Sequence, residues 1–220
     1  MRKLVVLSFI TLDGIMQAPG GSEEDPTGDF KHGGWVFSYF NDVLGNVMDK
    51  QMSEPFDLLL GRKTYEIFAA YWPYEKEGLI ANSLNNAKKY VVSKTLTKLD
   101  WQNSNLINNN IPQEIRKLKE QDGPALHVHG SGNFIQTLLR HDLVDELWLK
   151  IFPITLGKGK HLFAEGTLPV AFKLLETPIS SNGVIIASYA RAGDIKSGSF
   201  EQDKPSEAEL RRRQKLKEER

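Results

Sequence analysis

The chain has 220 residues, of which 40% are hydrophobic and 25% charged, a composition typical of a globular protein with one sizeable core. Its 28 basic and 28 acidic residues give a formal net charge of zero, so no overall field attracts a nucleic acid or a membrane surface. The sequence contains no cysteine, which excludes disulfides, thiolate zinc sites and cysteine nucleophiles.

The first predicted element is a strand close to the N-terminus. Lys3–Thr11 is rich in Val, Leu, Ile and Phe, and its β-branched residues favour a buried strand. Two basic residues before an apolar run also resemble a secretory signal, but the run ends at Asp13-Gly14 without a small-residue cleavage site. No window of the sequence reaches the ~20 apolar residues that span a membrane. We therefore expect a strand here and, by default, a cytoplasmic location.

A long segment without hydrophobic periodicity follows this strand. Leu12–Gly34 is rich in glycine and proline, and a loop of this length is usually either functional or disordered. From Trp35 to Met52, apolar residues recur at helical spacing, which predicts a helix.

The rest of the chain alternates between short apolar runs and segments with helical periodicity. Further strands are predicted at Phe56–Leu60, Lys89–Val92, Ser104–Ile107, Leu126–His129, Asp145–Phe152, Phe172–Thr177 and Val184–Tyr189. Further helices are predicted at Thr64–Ala70, Gln113–Glu120 and Asn133–Arg140. The last two strands flank a Ser-Ser-Asn-Gly turn, which is typical of a hairpin. The pattern therefore predicts a mixed, mostly parallel α/β sheet.

The composition changes after Gly193. Residues 201–220 include thirteen charged residues, and Ser206 with Glu209 matches a capping box at the start of a helix. The run Arg211–Arg213 could contact nucleic acid, but flanking acidic residues nearly cancel its charge. We predict one domain over residues 1–192 and a charged tail over 193–220 that is partly helical and either solvated or packed on another subunit.

Two predicted strands run through glycine directly into a helix. The first turn is Gly61-Arg62-Lys63-Thr64 and the second is Gly130-Ser131-Gly132. In α/β sheets, ligands bind beyond the carboxyl ends of strands, where helix N-termini favour phosphate and glycine lets an anion approach the backbone. Neither turn is a complete Rossmann or P-loop fingerprint, so each alone is equally consistent with a plain tight turn.

Basic and hydroxyl side chains strengthen the case for a ligand. Arg62 and Lys63 lie at a predicted helix start, where the helix dipole disfavours cations, and a bound anion would explain them. A third strand ends in Ser93-Lys94-Thr95, although Lys94 alone is typical of a solvated surface lysine. Three strand ends with the same chemistry predict an extended phosphate-bearing ligand such as a dinucleotide.

The ordered set of motifs resembles one protein family. The motifs are LDG, the long glycine loop, LLLGRKTYE, FAAYWP, KYVVSKTL, HVHGSGNFIQTLL and LVDELWLKIFPITLGKGKHLF. Together, over about residues 3–191, they resemble the dihydrofolate-reductase-like superfamily, and within it the stand-alone relatives of the reductase domain of the riboflavin-biosynthesis deaminase–reductase. The resemblance implies a single-domain, three-layer α/β fold whose eight-stranded sheet is mostly parallel with an antiparallel C-terminal edge. It also implies NADPH as cofactor and a homodimer.

The resemblance assigns cofactor contacts to matching positions of this chain. It implies that the turn Gly61–Thr64 approaches the phosphates and that Ser93 and Lys94 flank the adenosine ribose and its 2′-phosphate. The turn and helix start at 130–134 would hold the pyrophosphate and the nicotinamide half. Those five residues are Gly130, Ser131, Gly132, Asn133 and Phe134. Thr11 to Met16 would line the nicotinamide, with Asp13 and Gly14 shaping the turn, although Asp13-Gly14 is equally consistent with an ordinary turn.

The chain departs from the family pattern where the substrate is expected. The buried acid of dihydrofolate reductases would fall near His32, where no carboxylate stands, and Asp29 is the nearest candidate. The glutamate that riboflavin reductases usually place beside the glycine turn is also missing, so neither substrate is carried over. We take Asp29 and His32 as candidate catalytic residues. Trp35, Tyr71 and Trp72 could stack on a planar substrate or could equally pack in the core.

The leading hypothesis is an enzyme that transfers a hydride from NADPH to a small conjugated substrate of the pterin, pyrimidine or carbonyl type. The alternative is a non-catalytic or regulatory nucleotide-binding module of the same fold. The missing acid favours the alternative, whereas the long first loop, typical of a closing lid, favours the enzyme. His127 and His129 face one side of a predicted strand without a third ligand at recognisable spacing, so no metal site is predicted.

Overall fold

One sheet forms the centre of the protein in a computed structural model that describes residues 1–200 and 204–219. The strands are β1 (Leu4–Thr11), β2 (Phe56–Gly61), β3 (Lys89–Val92), β4 (Ser104–Ile107), β5 (Ala125–Val128), β6 (Glu146–Phe152), β7 (Phe172–Glu176) and β8 (Ile185–Arg191). Their order across the sheet is β4-β3-β2-β5-β1-β6-β8-β7.

The direction of the strands confirms the predicted fold class. All pairs from β4 across to β6 are parallel, and β8 is antiparallel to both β6 and β7. The central strand β1 pairs with β5 on one side and with β6 on the other. Because both of its faces are covered, β1 is a continuous apolar run, as buried parallel strands usually are.

Helices cover both faces of the sheet and complete three layers. They are α1 (Asp42–Ser53), α2 (Arg62–Tyr71), α3 (Leu79–Asn86), α4 (Ile111–Glu120) and α5 (Gly132–Arg140), and α6 (Glu207–Glu218) follows in the tail. On one face, Ile115 of α4 and Leu138 of α5 belong to the largest core cluster. On the other face, Met52, Tyr65 and Leu84 bring α1, α2 and α3 into a second cluster.

Two sequence predictions about helices need correction. The helix expected from Trp35 begins only at Asp42, because Asn41 is extended and its side chain accepts a hydrogen bond from the Leu44 N–H at 3.1 Å. Of the apolar residues before it, Trp35 and Val36 are buried in the core, whereas Phe37 and Phe40 are 86% and 53% exposed. Helix α3 was not predicted, because only Ala81 and Leu84 of its eight residues are buried.

The start of the chain is the predicted strand. Leu4, Val5 and Val6 are fully buried in the middle of the sheet. Among the helices of residues 1–200 and 204–219, none combines the length and the apolarity needed to cross a bilayer.

The tail contains the predicted helix. Ser206 accepts a hydrogen bond from the Glu209 N–H at 3.3 Å, which confirms the N-terminal cap of α6. The two leucines of the helix, Leu210 and Leu216, are 53% and 46% exposed, so α6 buries little apolar surface. The division of the chain at residue 192 stays a prediction.

Deletion of residues 201–220 should therefore leave a folded, cofactor-binding core. Residues 204–219, the described part of the removed segment, contribute little buried apolar area, and burial of apolar area is the main source of folding free energy. Thermal unfolding of the truncated and full-length proteins, with a parallel NADPH titration, measures the effect. A truncated protein that aggregates or loses more than a few degrees of its thermal midpoint would contradict the prediction.

Candidate active site

A cleft of about 1180 Å³ lies along the carboxyl ends of β2, β3 and β5. Residues that line it come from the three predicted strand ends, from the loop after β1 and from helices α1 to α3. The position agrees with the rule that ligands of α/β proteins bind beyond the carboxyl ends of strands. The predicted cofactor residues that line the cleft are Gly61, Arg62, Lys63, Thr64, Ser93, Lys94, Ser131, Gly132, Asn133 and Phe134.

The two glycine turns pack directly against each other. The Gly61 N–H donates to the Gly130 carbonyl at 2.9 Å, and the peptide between Gly130 and Ser131 is cis. A Cβ atom on Gly61 would lie 2.3 Å from Ser131 Oγ, and one on Gly130 would lie 2.3 Å from Thr64 Oγ1. The sequence led us to expect a ligand in close contact with these two glycines. In the structure, each glycine is instead in close contact with the other turn.

Both turns lead into helices that point their first turns toward the cleft. Gly61 and Ser131 are the N-caps of α2 and α5, and the first N–H groups of a helix have no partner within it. Within the described residues, the Ser131 side chain accepts none of these N–H groups of α5. Two sets of backbone donors at positive helix ends are therefore available to an anion.

Basic side chains gather at one part of the cleft. Burial and the charge of Lys160 lower the pKa of Lys63, so these two ammonium groups are close together. Lys160 forms an ion pair with Asp25 and donates to Thr27 Oγ1 at 2.8 Å. Arg62 donates to both carboxylate oxygens of Glu66 at 3.0 Å, one helical turn on. Its position at a helix start is therefore explained without an anion.

The third strand end forms a compact turn. Ser93 is buried, and its Oγ accepts hydrogen bonds from the N–H groups of Thr95 at 3.1 Å and Leu96 at 3.0 Å. This turn fixes the backbone that carries Lys94, whose side chain lines the cleft beside those of α2.

The residues after β1 hold a turn whose side chains lie outside the cleft lining. Thr11 donates to Asp13, and Asp13 accepts from the N–H groups of Leu156 at 3.0 Å and Gly157 at 2.7 Å. Gly14 has a φ of 77°, which favours glycine. Burial opposes ionisation of Asp13, but its hydrogen bonds outweigh burial and lower its pKa. The turn anchors the start of the loop to the segment after β6.

The three predicted aromatic residues are divided between core and cleft. Trp35 is buried and donates a hydrogen bond to the Gln17 carbonyl at 2.8 Å. Its ring packs edge-on against that of Phe152, with 5.1 Å between the ring centres. Tyr71 and Trp72 line the cleft, and their rings lie 5.0 Å apart in a T-shaped arrangement.

The two candidate catalytic residues lie away from the cleft. Asp29 and His32 are both exposed, and Asp29 has a φ of 55° in a turn of the long loop. The His32 ring lies 5.9 Å from that of Phe30. The structure does not bring either residue together with the three strand ends, and their catalytic role stays a prediction.

Several polar residues of the cleft were missed by sequence reasoning. Glu24 lines it and accepts from the N–H groups of Gly20 at 2.7 Å and Gly21 at 3.1 Å, and burial raises the pKa of its carboxyl. His129 and Lys150 line it from β5 and β6. The signal for Lys150 was a lysine inside the apolar run ELWLKIF. Glu24 had no such signal, because acidic residues are common in loops.

The sequence matches a known family over most of its length. The model of the RibD C-terminal domain family matches residues 2–186. The uncharacterized protein YyaP of Bacillus subtilis (strain 168) is 31% identical over 192 residues, which cover 86% of this chain and 94% of that protein.

Solved structures share the fold. A putative riboflavin biosynthesis protein from Shewanella sp. PV-4 superposes with a TM-score of 0.65 at 23% identity, covering 86% of this chain and 99% of that one. Dihydrofolate reductase from Enterococcus faecalis, solved in complex with NADP(H), gives a TM-score of 0.55 at 14% identity, covering 86% of this chain and 96% of that one. Fold, strand ends and family match agree, and the chain belongs to the RibD C-terminal domain family.

Proposed function

We propose that this protein is an NADP(H)-dependent reductase that transfers a hydride to a small conjugated substrate. The observation that carries the proposal is the convergence of two glycine turns, two helix N-termini and a group of basic side chains on one cleft. The family match supports a reductase, and a dihydrofolate reductase of the same fold binds NADP(H).

The residues of the cleft fit a dinucleotide in chemistry as well as in position. The backbone of the turns at 61–64 and 130–132 would hold the phosphates through N–H donors, and Asn133 and Phe134 continue that surface. Arg62 and Lys94, which both line the cleft, would meet the additional negative charge of a 2′-phosphate. The turn at Thr11, Asp13 and Gly14 would support the nicotinamide end from outside the lining.

The nicotinamide of the bound cofactor would supply the hydride. The chain itself would orient the substrate and exclude water. The walls of the cleft near α1 and α2 include Met48, Met52 and Phe68, which make this part apolar. Tyr71 and Trp72 lie at its side and would contact a planar molecule. A homodimer and a cytoplasmic location are further proposals that rest on the family resemblance.

The proposal can be tested in two steps. The full-length protein is first titrated with NADPH and with NADH, and a panel of substrates is then screened by following NADPH absorbance. Binding of NADPH together with its consumption by a pterin, pyrimidine or carbonyl compound is expected. NADPH that binds but is consumed by no compound would support the non-catalytic alternative. A protein that binds neither nucleotide would contradict both.

Replacement of Arg62 and Lys94 by alanine should lower the affinity for NADPH much more than the affinity for NADH. A charge-assisted hydrogen bond contributes roughly 1.5–3 kcal/mol, so we expect a selective loss of about ten- to a hundredfold. Lys98→Ala is the control, because Lys98 is 82% exposed and pairs with Asp100 outside the cleft. Equal losses of both nucleotides would show that these cations do not recognise the 2′-phosphate.

A further inference from the structure

Lys150 is a buried lysine on the wall of the cleft. It lies on β6 opposite Phe9 of β1, and its side chain is only 3% exposed. Its Nζ donates to Gln51 Oε1 of α1 at 2.5 Å and lies 5.7 Å from the centre of the Phe9 ring. Burial alone lowers the pKa of this ammonium group to about 7.

The other buried lysines have stronger compensation. Lys119 donates to the Leu143 carbonyl at 2.8 Å and forms an ion pair with Asp145 at 2.7 Å. Lys89 donates to a backbone carbonyl at 2.6 Å and lies 4.2 Å over the ring of Trp101. Lys150 has one neutral amide oxygen and the Phe9 ring at 5.7 Å, a weaker ring contact than that of Lys89, and in the described part of the chain no carboxylate pairs with it. An ammonium has three N–H donors, so it has capacity for a further acceptor.

The groups around Lys150 supply no negative charge. His127 of β5 and His129, the residue that follows β5, are buried, and burial together with the charge of Lys150 lowers their pKa values to about 4 and about 3, with His127 adding to the effect at His129. Both imidazoles are therefore neutral near pH 7. Within residues 1–200 and 204–219, His127 Nδ1 and His129 Nε2 have no hydrogen-bond partner.

The remaining neighbours are mainly apolar. The cleft lining includes Phe9, which lies opposite Lys150, Leu7 of the same strand, and Met48 and Met52 of α1, the helix that carries Gln51. This pocket combines one buried cation with apolar walls and with neutral imidazoles that have free nitrogens. It is therefore complementary to a planar apolar molecule that carries one anionic oxygen group. A phosphate would need several charged donors. The neighbouring positive charges that act on Lys63 come from Arg62 and Lys160, and no such charge contributes at Lys150.

We infer that Lys150 is a substrate-binding residue that pairs with a carboxylate or enolate oxygen of a planar, singly charged substrate at the apolar part of the cleft. The inference deepens the proposed reductase function, since it names the class of substrate. Gln51 positions the ammonium group, and His129 offers a second polar contact at the same place. In the part of the chain that the structure describes, no other positive charge contributes to the lowered pKa of Lys150, which burial alone causes.

The test measures the binding of benzoate, a planar monoanion, and of its uncharged counterpart benzamide to the full-length protein by NMR titration. We expect the parent to prefer benzoate by at least about tenfold, the equivalent of one charge-assisted contact. Lys150→Met should abolish this preference. Lys89→Met, the loss of another buried lysine that lies outside the cleft, should retain it. Nuclear Overhauser contacts from benzoate to the Met48 and Met52 methyl groups should locate the ligand.

The same titration has a second, independent readout. Benzoate stays ionised above pH 6, whereas Lys150 loses its proton near pH 7. The affinity of the parent should therefore fall as the pH rises above 7, by up to about tenfold for each pH unit. The Lys150→Met variant should show no such fall. Lys150→Gln repeats the comparison with a polar residue if the methionine variant does not fold.

A parent without preference for benzoate, or a Lys150→Met variant that keeps the preference, would overturn the inference. The inference would also be overturned if the preference for benzoate disappeared in the variant that lacks Arg62 and Lys94 but persisted in the variant that lacks Lys150. Benzoate would then occupy the phosphate region of the cleft. The measurement needs no cofactor. If benzoate binds at Lys150 but NADPH does not bind, the inference stands and the proposed reductase function is contradicted. If NADPH binds but benzoate does not bind at Lys150, the proposed function stands and the inference is contradicted.

Discussion

We expect Ser131→Asp to reduce the affinity for NADPH on the order of a hundredfold, because a like charge placed against a phosphate costs several kcal/mol. Ser131 lines the cleft at the N-cap of α5. Aspartate is itself a favourable N-cap residue, and its charge suits the positive end of the helix. The thermal midpoint should therefore change by only a few degrees. NADPH titration and thermal unfolding of the same sample separate binding from stability.

Ser131→Asn is the matched control, because asparagine has the size of aspartate and caps helices as well, but carries no charge. We expect it to retain most of the NADPH affinity. If Ser131→Asn lowers the affinity for NADPH as much as Ser131→Asp does, the effect is steric. If Ser131→Asp binds NADPH like the parent, the Gly-Ser-Gly turn is no phosphate site.

The largest effect on stability is expected for Gly61→Ala. The added Cβ would lie 2.3 Å from Ser131 Oγ, 2.8 Å from Phe134 Cβ and 2.9 Å from the Ser131 backbone nitrogen. Because one of these contacts is with backbone, a side-chain rotation cannot relieve all of them. Overpacking of this kind costs about 1–3 kcal/mol, which lowers the thermal midpoint by roughly 2 to 12 °C for a chain of this size.

Gly132→Ala provides the comparison for that substitution. Its Cβ would lie 3.7 Å from Met16 Sδ, an ordinary van der Waals contact, and the residue begins a helix, where alanine is favourable. We expect its thermal midpoint to equal or exceed that of the parent. If Gly61→Ala is as stable as Gly132→Ala, the two turns do not pack as closely as described.

Much of the fold was determined by local sequence patterns. The apolar run of β1, the Ser-Ser-Asn-Gly turn between β7 and β8 and the Ser206 cap of α6 depend on neighbouring residues, and each was predicted. The three strand ends were found for the same reason. A glycine, a hydroxyl and a basic residue after an apolar run mark the edge of a parallel sheet where ligands bind.

Tertiary structure alone decided which residues share the cleft and which do not. Trp35 packs on Phe152, which is distant in the sequence, and no local pattern distinguishes such a core residue from one that lines a pocket. Gly61 must be glycine because Ser131, seventy positions later, lies against it. Lys150 became a candidate only when its burial and its hydrogen bond to Gln51 on another element were known. Sequence patterns report neighbours along the chain, whereas the chemistry of this cleft depends on contacts between elements that only folding brings together.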